Sequence, residues 1–149
     1  MAMGDRVVVM SQGVVRQIGT PADVYDEPAD TFVATFLGSP PMNILPFEET
    51  LVGFRPEHFL PGGVSERPGG SQSYSFHIDH SEYLGAELVL YGLINGGPFN
   101  EMKAISRVPS THAAGLVDGS THTFWVAASD VKFFDRSTSK RTAARRLPS

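Results

Sequence analysis

Six short runs of β-branched and aromatic residues in the last two thirds of the chain most limit what it can fold into. Each run is four to eight residues long and is separated from the next by glycine, proline, asparagine or aspartate, which is typical of strands and turns. The runs cover residues 51–55, 74–78, 88–94, 102–108, 123–126 and 131–134. Because no long helical period lies between them, they predict a mainly β fold with a closed or nearly closed barrel.

The first forty residues carry a different pattern, which predicts two short helices. Thr20 followed by Pro21 is a typical helix start, and Pro28 ends this helix. Asp30 predicts the N-cap of a second helix over residues 31–37, which Gly38 ends. The apolar side chains of that helix fall on one face, so they must pack against something.

The first part of the chain also predicts a β-hairpin, and a proline pair marks where this part ends. Two valine-rich runs on either side of Ser11-Gln12-Gly13 predict the hairpin. The pair Pro40-Pro41 holds the chain extended and marks a boundary. We therefore expect an N-terminal segment over residues 1–43, a barrel over residues 44–135 and a basic, flexible tail over residues 136–149.

The charge and hydropathy of the chain argue against a nucleic-acid-binding protein and against a membrane-spanning one. The net charge is -4, but residues 135–149 hold five basic residues against one acidic residue, which leaves the rest of the chain strongly acidic. Nucleic-acid binding draws most of its affinity from neutralised phosphates, so we expect no nucleic-acid partner. No apolar run reaches the ~18–20 residues of a membrane span, and the first residues do not resemble a signal peptide. A cytoplasmic protein is expected.

The motifs of common catalytic sites do not occur in the sequence. A phosphate-binding P-loop needs lysine after glycine, whereas Lys103, Lys132 and Lys140 follow methionine, valine and serine. Strand alternation in His77-Ile78-Asp79-His80 places the two histidines on opposite faces unless a bulge intervenes, which disfavours a metal site. We therefore expect no catalytic, cofactor-binding or metal-binding residues in this chain.

Six residues are candidates for a structural or interface role. Arg55 and Glu57 flank Pro56 directly after an apolar strand, so they are expected at the barrel rim, where an ion pair can form within the chain or with a partner. The others are aromatic and suit core packing better than a stacking surface for bases or sugars. They are Phe124, Trp125, Phe133 and Phe134.

Three segments, in order, resemble the C-terminal part of the ATP-binding subunits of ABC importers, in the carbohydrate and glycerol-3-phosphate class typified by the maltose importer ATPase. The first includes Met3-Gly4-Asp5-Arg6 and ends at Ser39-Pro40-Pro41-Met42-Asn43. The second is Gly53-Phe54-Arg55-Pro56-Glu57-His58. The third joins Glu82-Tyr83-Leu84-Gly85-Ala86-Glu87 to the closing Val131-Lys132-Phe133-Phe134-Asp135, with Ser139 where the family usually has glycine.

This resemblance implies the end of a nucleotide-binding domain followed by an OB-like regulatory barrel, often called TOBE. The family's ATPase motifs lie upstream of the matching residues, so the resemblance implies a non-catalytic chain from a parent subunit that uses ATP and Mg²⁺. It further implies a homodimer, permease subunits and a regulatory protein as partners, at the inner face of the cell membrane. The alternative is a barrel that senses a small ligand, an oxyanion or a sugar, with the turn Gly119-Ser120-Thr121 contributing.

Overall fold

A computed structural model describes residues 5–63 and 68–149 and has a mainly β fold, as predicted, with 47% strand and 17% helix. Two short helices, α1 (Pro21–Asp26) and α2 (Thr31–Phe36), precede most of the strands. The strands are β1 (Val7–Ser11), β2 (Val14–Gly19), β3 (Asn43–Phe47), β4 (Thr50–Phe54), β5 (Leu60–Pro61), β6 (Gln72–Leu84), β7 (Glu87–Asn95), β8 (Lys103–Pro109), β9 (Thr121–Val126), β10 (Lys132–Asp135) and β11 (Arg141–Thr142).

The described residues fall into two compact units. The first comprises the residues up to Gly53 together with Lys132–Ala144, and it holds the β1–β2 hairpin, both helices and a sheet of order β11-β10-β4-β3. The second comprises Phe54–Val131 and Arg145–Ser149. Its sheet, of order β5-β9-β6-β7-β8, is a curled half-barrel consistent with an OB-like fold. These units divide the chain differently from the three predicted domains, whose limits stay a prediction.

The hairpin and both helices of the first unit form where local signals predict them. Gln12 and Gly13 both have positive φ, as a two-residue hairpin turn requires. The Thr20 side chain accepts a hydrogen bond from the Asp23 amide at 3.1 Å, and the Asp30 carboxylate accepts one from the Val33 amide at 2.9 Å, so both predicted caps are confirmed. The buried side chains that hold these elements together are Val9, Val24 and Val33.

Three short strands were not predicted from the sequence, and β3 shows why. It contains Pro46, which usually argues against a strand because it cannot donate to the ladder. The sheet order places β3 at an edge, where a missing donor is tolerated. Strands β5 and β11 are only two residues long, too short for any periodic pattern.

Parts of the chain after residue 135 pack against other residues, whereas the sequence suggested a solvated end. Strand β11 pairs with β10, so that Thr142 lies opposite Phe133. Further on, Leu147 is only 4% exposed. The sequence pattern suggested a solvated end because basic residues dominate it, but a single buried leucine leaves no periodic signal.

Three phenylalanines form the centre of the second unit. Phe59, Phe76 and Phe124 are all fully buried, and their ring centroids lie 4.9–5.2 Å apart. They come from the segment after β4, from β6 and from β9, so they tie together parts of the chain that are distant in sequence. Tilted and edge-on ring pairs of this kind add to the stabilisation from burial itself.

Gly92 in β7 lies where the ladder between β6 and β7 shifts register. It is opposite Ile78, and the shift falls between Ile78 and His80. A Cβ atom at position 92 would lie 1.9 Å from the His77 carbonyl oxygen, a distance that no side chain tolerates. The close approach of the two backbones at this bulge therefore requires glycine.

We predict that Gly92→Ala destabilises the protein by about 2 kcal/mol or more, because a methyl group at this position forces the two strands apart. The matched control is Gly62→Ala, since a Cβ atom there meets nothing within 4 Å. Urea denaturation followed by tryptophan fluorescence measures both. Equal stability of the two variants would contradict the prediction.

Candidate interface and polar junction

The four aromatic candidates are buried. Phe124 and Phe134 are 0% exposed, and Trp125 and Phe133 are each 4% exposed. The indole N–H of Trp125 donates to the carbonyl oxygen of Pro61 at 3.2 Å. Their rings therefore pack inside this chain and offer no face on which bases or sugars could stack. An interface role for them stays a prediction.

The Arg55 and Glu57 candidates lie at a turn of 3-10 helix that Pro56 begins. Arg55 is the N-cap of this turn and is only 2% exposed. One Glu57 carboxylate oxygen lies 3.8 Å from a terminal nitrogen of Arg107, whose Nε atom lies 2.7 Å from a Glu87 carboxylate oxygen. The sequence left open whether an ion pair at this rim forms within the chain or with a partner. In the structure, Glu57 pairs with Arg107 of the same chain.

Arg107 and Glu87 were not found from the sequence. They lie on neighbouring strands, where Val89 is paired with Arg107 and Glu87 with Pro109, so the two charged residues are diagonal neighbours. A spacing of twenty residues carries no sequence signal of such a pairing. Only the register of β7 against β8 brings the opposite charges together.

A bulge, the exception stated for the predicted arrangement, places the two histidines on one face of the strand. The ladder places His77 opposite Leu93 and His80 opposite Tyr91, two residues apart on β7, so both histidines lie on the same face. His77 contacts Thr121 through its Nδ1 atom at 2.8 Å, whereas the His80 ring stacks on Tyr91 at 4.6 Å. Within the part of the chain that the structure describes, no group of three or more potential metal ligands occurs.

The turn considered for oxyanion binding has its donors engaged. The Gly119 amide donates to the Ile78 carbonyl, and both the amide and the hydroxyl of Ser120 donate to the Val117 carbonyl. The Thr121 hydroxyl lies within hydrogen-bond distance of the His77 ring. An oxyanion would have to break these bonds, so the geometry of this turn does not favour ligand binding there.

In the first unit, the segment between the two helices is joined to the end of the chain by a set of polar contacts, which we call the polar junction. It comprises residues 27–31 on one side and residues 132–141 on the other. The Thr31 amide donates to the Ser139 carbonyl at 3.0 Å, and the Arg141 amide donates to the Ala29 carbonyl at 2.8 Å. Backbone pairing of this kind fixes the helix pair to strands β10 and β11.

Glu27 adds two ion pairs to the polar junction. Its carboxylate lies 3.1 Å from Lys132 Nζ and 2.8 Å from Arg141 Nη2. The hydrogen bond from Lys132 is the main cause that holds the pKa of the Glu27 carboxyl below its usual range, and Arg141 contributes as well. The Glu27 side chain is 60% exposed, so solvent screening keeps these pairs weak.

Asp30 is the buried charge of the polar junction. It is 6% exposed, and its two carboxylate oxygens accept from the Val33 amide at 2.9 Å and from Arg16 Nε at 2.8 Å. The Arg16 guanidinium also lies over the Phe32 ring, 5.4 Å from its centroid. One carboxylate therefore caps α2 and anchors strand β2 at the same time.

The turn between β10 and β11 holds the other side of the polar junction in place. The Asp135 carboxylate accepts hydrogen bonds from Ser137 and Thr138, of which the Ser137 hydroxyl is the main cause that lowers the pKa of Asp135. Ser139 has a φ of 65°, in the left-handed region that favours glycine. The turn forms although serine stands where the resembling family usually has glycine.

One face of the β1–β2 hairpin is apolar and exposed. Val8 is paired with Ile18 and Met10 with Val15, and each of the four is about half exposed, between 49% and 56%. The opposite face carries Val9, which is buried in the core of the first unit. A continuous exposed apolar face of this kind is typical of an interaction surface.

Comparison with known proteins places these features in a protein class. No protein-family model matches the chain. It is 34% identical over 81% of its length to the sn-glycerol-3-phosphate import ATP-binding protein UgpC of Cereibacter sphaeroides, covering 42% of that protein. The proteins of the same name from Ruegeria sp. and Vibrio vulnificus are each 32% identical over 96% and 100% of the chain, covering 44% of their lengths. The chain thus spans about two fifths of the length of the curated relatives it matches.

The chain therefore belongs to the family of the ATP-binding subunits of ABC importers. Within that class, it matches the C-terminal part of the sn-glycerol-3-phosphate import ATP-binding proteins, as the sequence motifs indicated. Two residues of the first motif, Met3 and Gly4, lie outside the described residues. No helix in the described part of the chain is long and apolar enough to cross a membrane.

We predict that Asp30→Ala lowers the free energy of unfolding by about 2–3 kcal/mol. The substitution removes the cap of α2 and leaves Arg16 without its carboxylate partner. Asp26→Ala is the control, because Asp26 is exposed in the neighbouring helix, and it should change stability by less than about 0.5 kcal/mol. Chemical denaturation of both variants measures their free energies of unfolding. A loss below about 1 kcal/mol for Asp30→Ala would contradict the role of Asp30 as cap and anchor.

We predict that Glu27→Gln lowers stability by less than about 1 kcal/mol at neutral pH, and that this loss disappears in acid. The folded-state pKa of Glu27 is lowered, so its contribution is present above the unfolded-state value and is lost as the pH falls through the folded-state value. Urea denaturation at pH 7 and at about pH 3 measures the difference. Glu49→Gln serves as the control for a general loss of negative charge, and an unchanged Glu27→Gln difference in acid would refute the assignment.

Proposed function

We propose that this chain is the non-catalytic regulatory and dimerisation part of the ATP-binding subunit of an ABC importer for glycerol 3-phosphate or a sugar. In that subunit, ATP and Mg²⁺ would be bound by residues other than those described. The chain would act beside permease subunits and a regulatory protein at the cytoplasmic face of the membrane. The names of the relatives, which are import ATP-binding proteins, support this assignment.

The polar junction is the observation that carries the regulatory part of the proposal. It joins residues 27–31 to residues 132–141, more than one hundred positions further along the chain. Hydrogen-bond and salt-bridge networks between rigid elements are one of the physical means by which parts of a protein are coupled. The backbone bonds and the Glu27 ion pairs supply such a connection between the helix pair and the sheet strands of the first unit.

The exposed face of the β1–β2 hairpin supports a contact with other residues of such a subunit. Val8, Met10, Val15 and Ile18 place four apolar side chains on one surface of a two-stranded sheet. Covering them with another apolar surface would be favourable at about 25 cal/mol per Å² of area removed from water. This is the arrangement expected where the hairpin meets the remainder of an ATP-binding subunit.

A chimeric importer tests the proposal. The segment of the Vibrio vulnificus relative that matches this chain would be replaced by this chain, and uptake of labelled glycerol 3-phosphate would be measured in cells that lack their own importer. We expect the chimera to support uptake. We expect Glu27→Ala combined with Arg141→Ala to reduce uptake several-fold while the purified chimera still hydrolyses ATP, because the substitutions weaken the connection and leave ATP hydrolysis intact.

Two results would contradict the proposal. One is ATP hydrolysis by the purified chain of this sequence on its own. The other is a folded chimera that hydrolyses ATP but supports no uptake in any variant. The Asp26→Ala chimera is the matched control, since Asp26 is exposed on α1 and lies outside the polar junction.

A further inference from the structure

The last residues of the chain dock on the second unit. Leu147 is 4% exposed and Pro148 is buried, and the carbonyl oxygen of Pro148 accepts a hydrogen bond from the Tyr74 hydroxyl. The four preceding residues, 143–146, are all exposed. The tail is therefore an exposed connector that ends in a buried two-residue anchor.

The receiving surface is formed around Tyr74 of β6, and we call it the tail slot. Tyr74 is 5% exposed, and its ring centroid lies 5.3 Å from that of Phe99, which is fully buried. Burial raises the pKa of the Tyr74 hydroxyl above its usual value, so burial favours the protonated form that donates this hydrogen bond. The tail supplies the acceptor for this hydroxyl, and without the tail that place would have to be taken by water or by another carbonyl group.

The contact has the features of short-peptide recognition. One apolar side chain, Leu147, is buried, and one backbone carbonyl, that of Pro148, is held by a side-chain donor. Proline fixes its own φ angle, so the segment loses little conformational freedom when it binds. The contacts of such a site are the same whether the short segment comes from the same chain or from another molecule.

We propose that the tail slot is an exchangeable binding site for the Leu147–Pro148 segment, which accepts the tail of a second copy of this chain as well as its own. In the structure, the Leu147–Pro148 segment of the same chain occupies the tail slot. Because the connector over residues 143–146 is exposed, the same segment of another molecule could take its place. Exchange of an identical segment between two copies is an economical route to a dimer. The proposal bears on the homodimer of the proposed function, but it does not depend on transport or on ATP.

Connection to the same chain favours the chain's own tail. A segment on a short flexible connector has an effective concentration in the millimolar range. A free peptide with a dissociation constant of about 100 μM would therefore bind the intact protein about tenfold more weakly than a protein without its tail. A difference of about tenfold between the two dissociation constants would indicate that the chain's own tail competes with the peptide for the slot.

A peptide-binding experiment tests the slot. The probe is a fluorescein-labelled peptide of residues 143–149, and the receptor is a variant that lacks residues 145–149. We expect saturable binding by fluorescence anisotropy, about tenfold weaker binding to the intact chain, and loss of binding when the peptide carries Leu147→Ala. If the shortened chain fails to fold, the full chain with Leu147→Ala replaces it as the receptor.

A capture experiment tests exchange between two copies. The immobilised receptor is the variant with the open slot, and the donors are the intact chain and a full chain with Tyr74→Phe. Loss of the tyrosine hydroxyl weakens the donor's hold on its own tail, so we expect the Tyr74→Phe donor to be captured more strongly than the intact donor. The same substitution placed in the receptor should weaken capture.

The two experiments have distinct negative outcomes. No peptide binding to a folded receptor with an open slot overturns the proposal as a whole. Peptide binding without capture of either donor overturns exchange between copies. Neither outcome involves nucleotide or transport, so both are distinguishable from failure of the proposed importer function.

Discussion

The first unit depends on the buried carboxylate of Asp30. A charge that is only 6% exposed is unfavourable unless it is fully paired, and Asp30 meets this requirement with one bond to the Val33 amide and one to Arg16. These two bonds fix the start of α2 and the position of β2 together. The residues on either side of Asp30 make the backbone bonds of the polar junction: Ala29 accepts from Arg141, and Thr31 donates to Ser139. Asp30 therefore holds in place the segment that these bonds join to the end of the chain.

Strong local signals made much of this unit predictable from sequence. Thr20, Asp30 and the Gln12-Gly13 turn each act within three or four residues, so their effect does not depend on distant parts of the chain. In both units, the six predicted strand runs each overlap an observed strand, because runs of β-branched and aromatic residues are also a local signal. The bond between Asp30 and Arg16 joins residues fourteen positions apart. It was not predicted, because it depends on how the hairpin packs against the helices.

Two of the features that sequence analysis missed or misplaced depend on strand register. A bulge beside Asp79 turned two histidines onto one face, and it is accommodated by Gly92, thirteen positions away. The pairing of Arg107 with Glu87 follows from how β7 lies against β8, and its pairing with Glu57 follows from how the 3-10 turn at Pro56 packs against β8. The segment Arg55-Pro56-Glu57-His58 singled out Glu57 as a candidate, but no pattern in the sequence identifies Arg107 as its partner.

The length of the tail constrains any dimer formed by its exchange. Strand β11 ends at Thr142, and Leu147 is five residues further on. At a reach of about 3.5 Å per extended residue, five residues span at most about 17 Å. If β11 keeps its pairing with β10, the tail slot of one copy must therefore lie within that distance of β11 in the other. A swapped pair would consequently be a close one, in which the connector that is exposed in the single chain lies near the contact between the two copies.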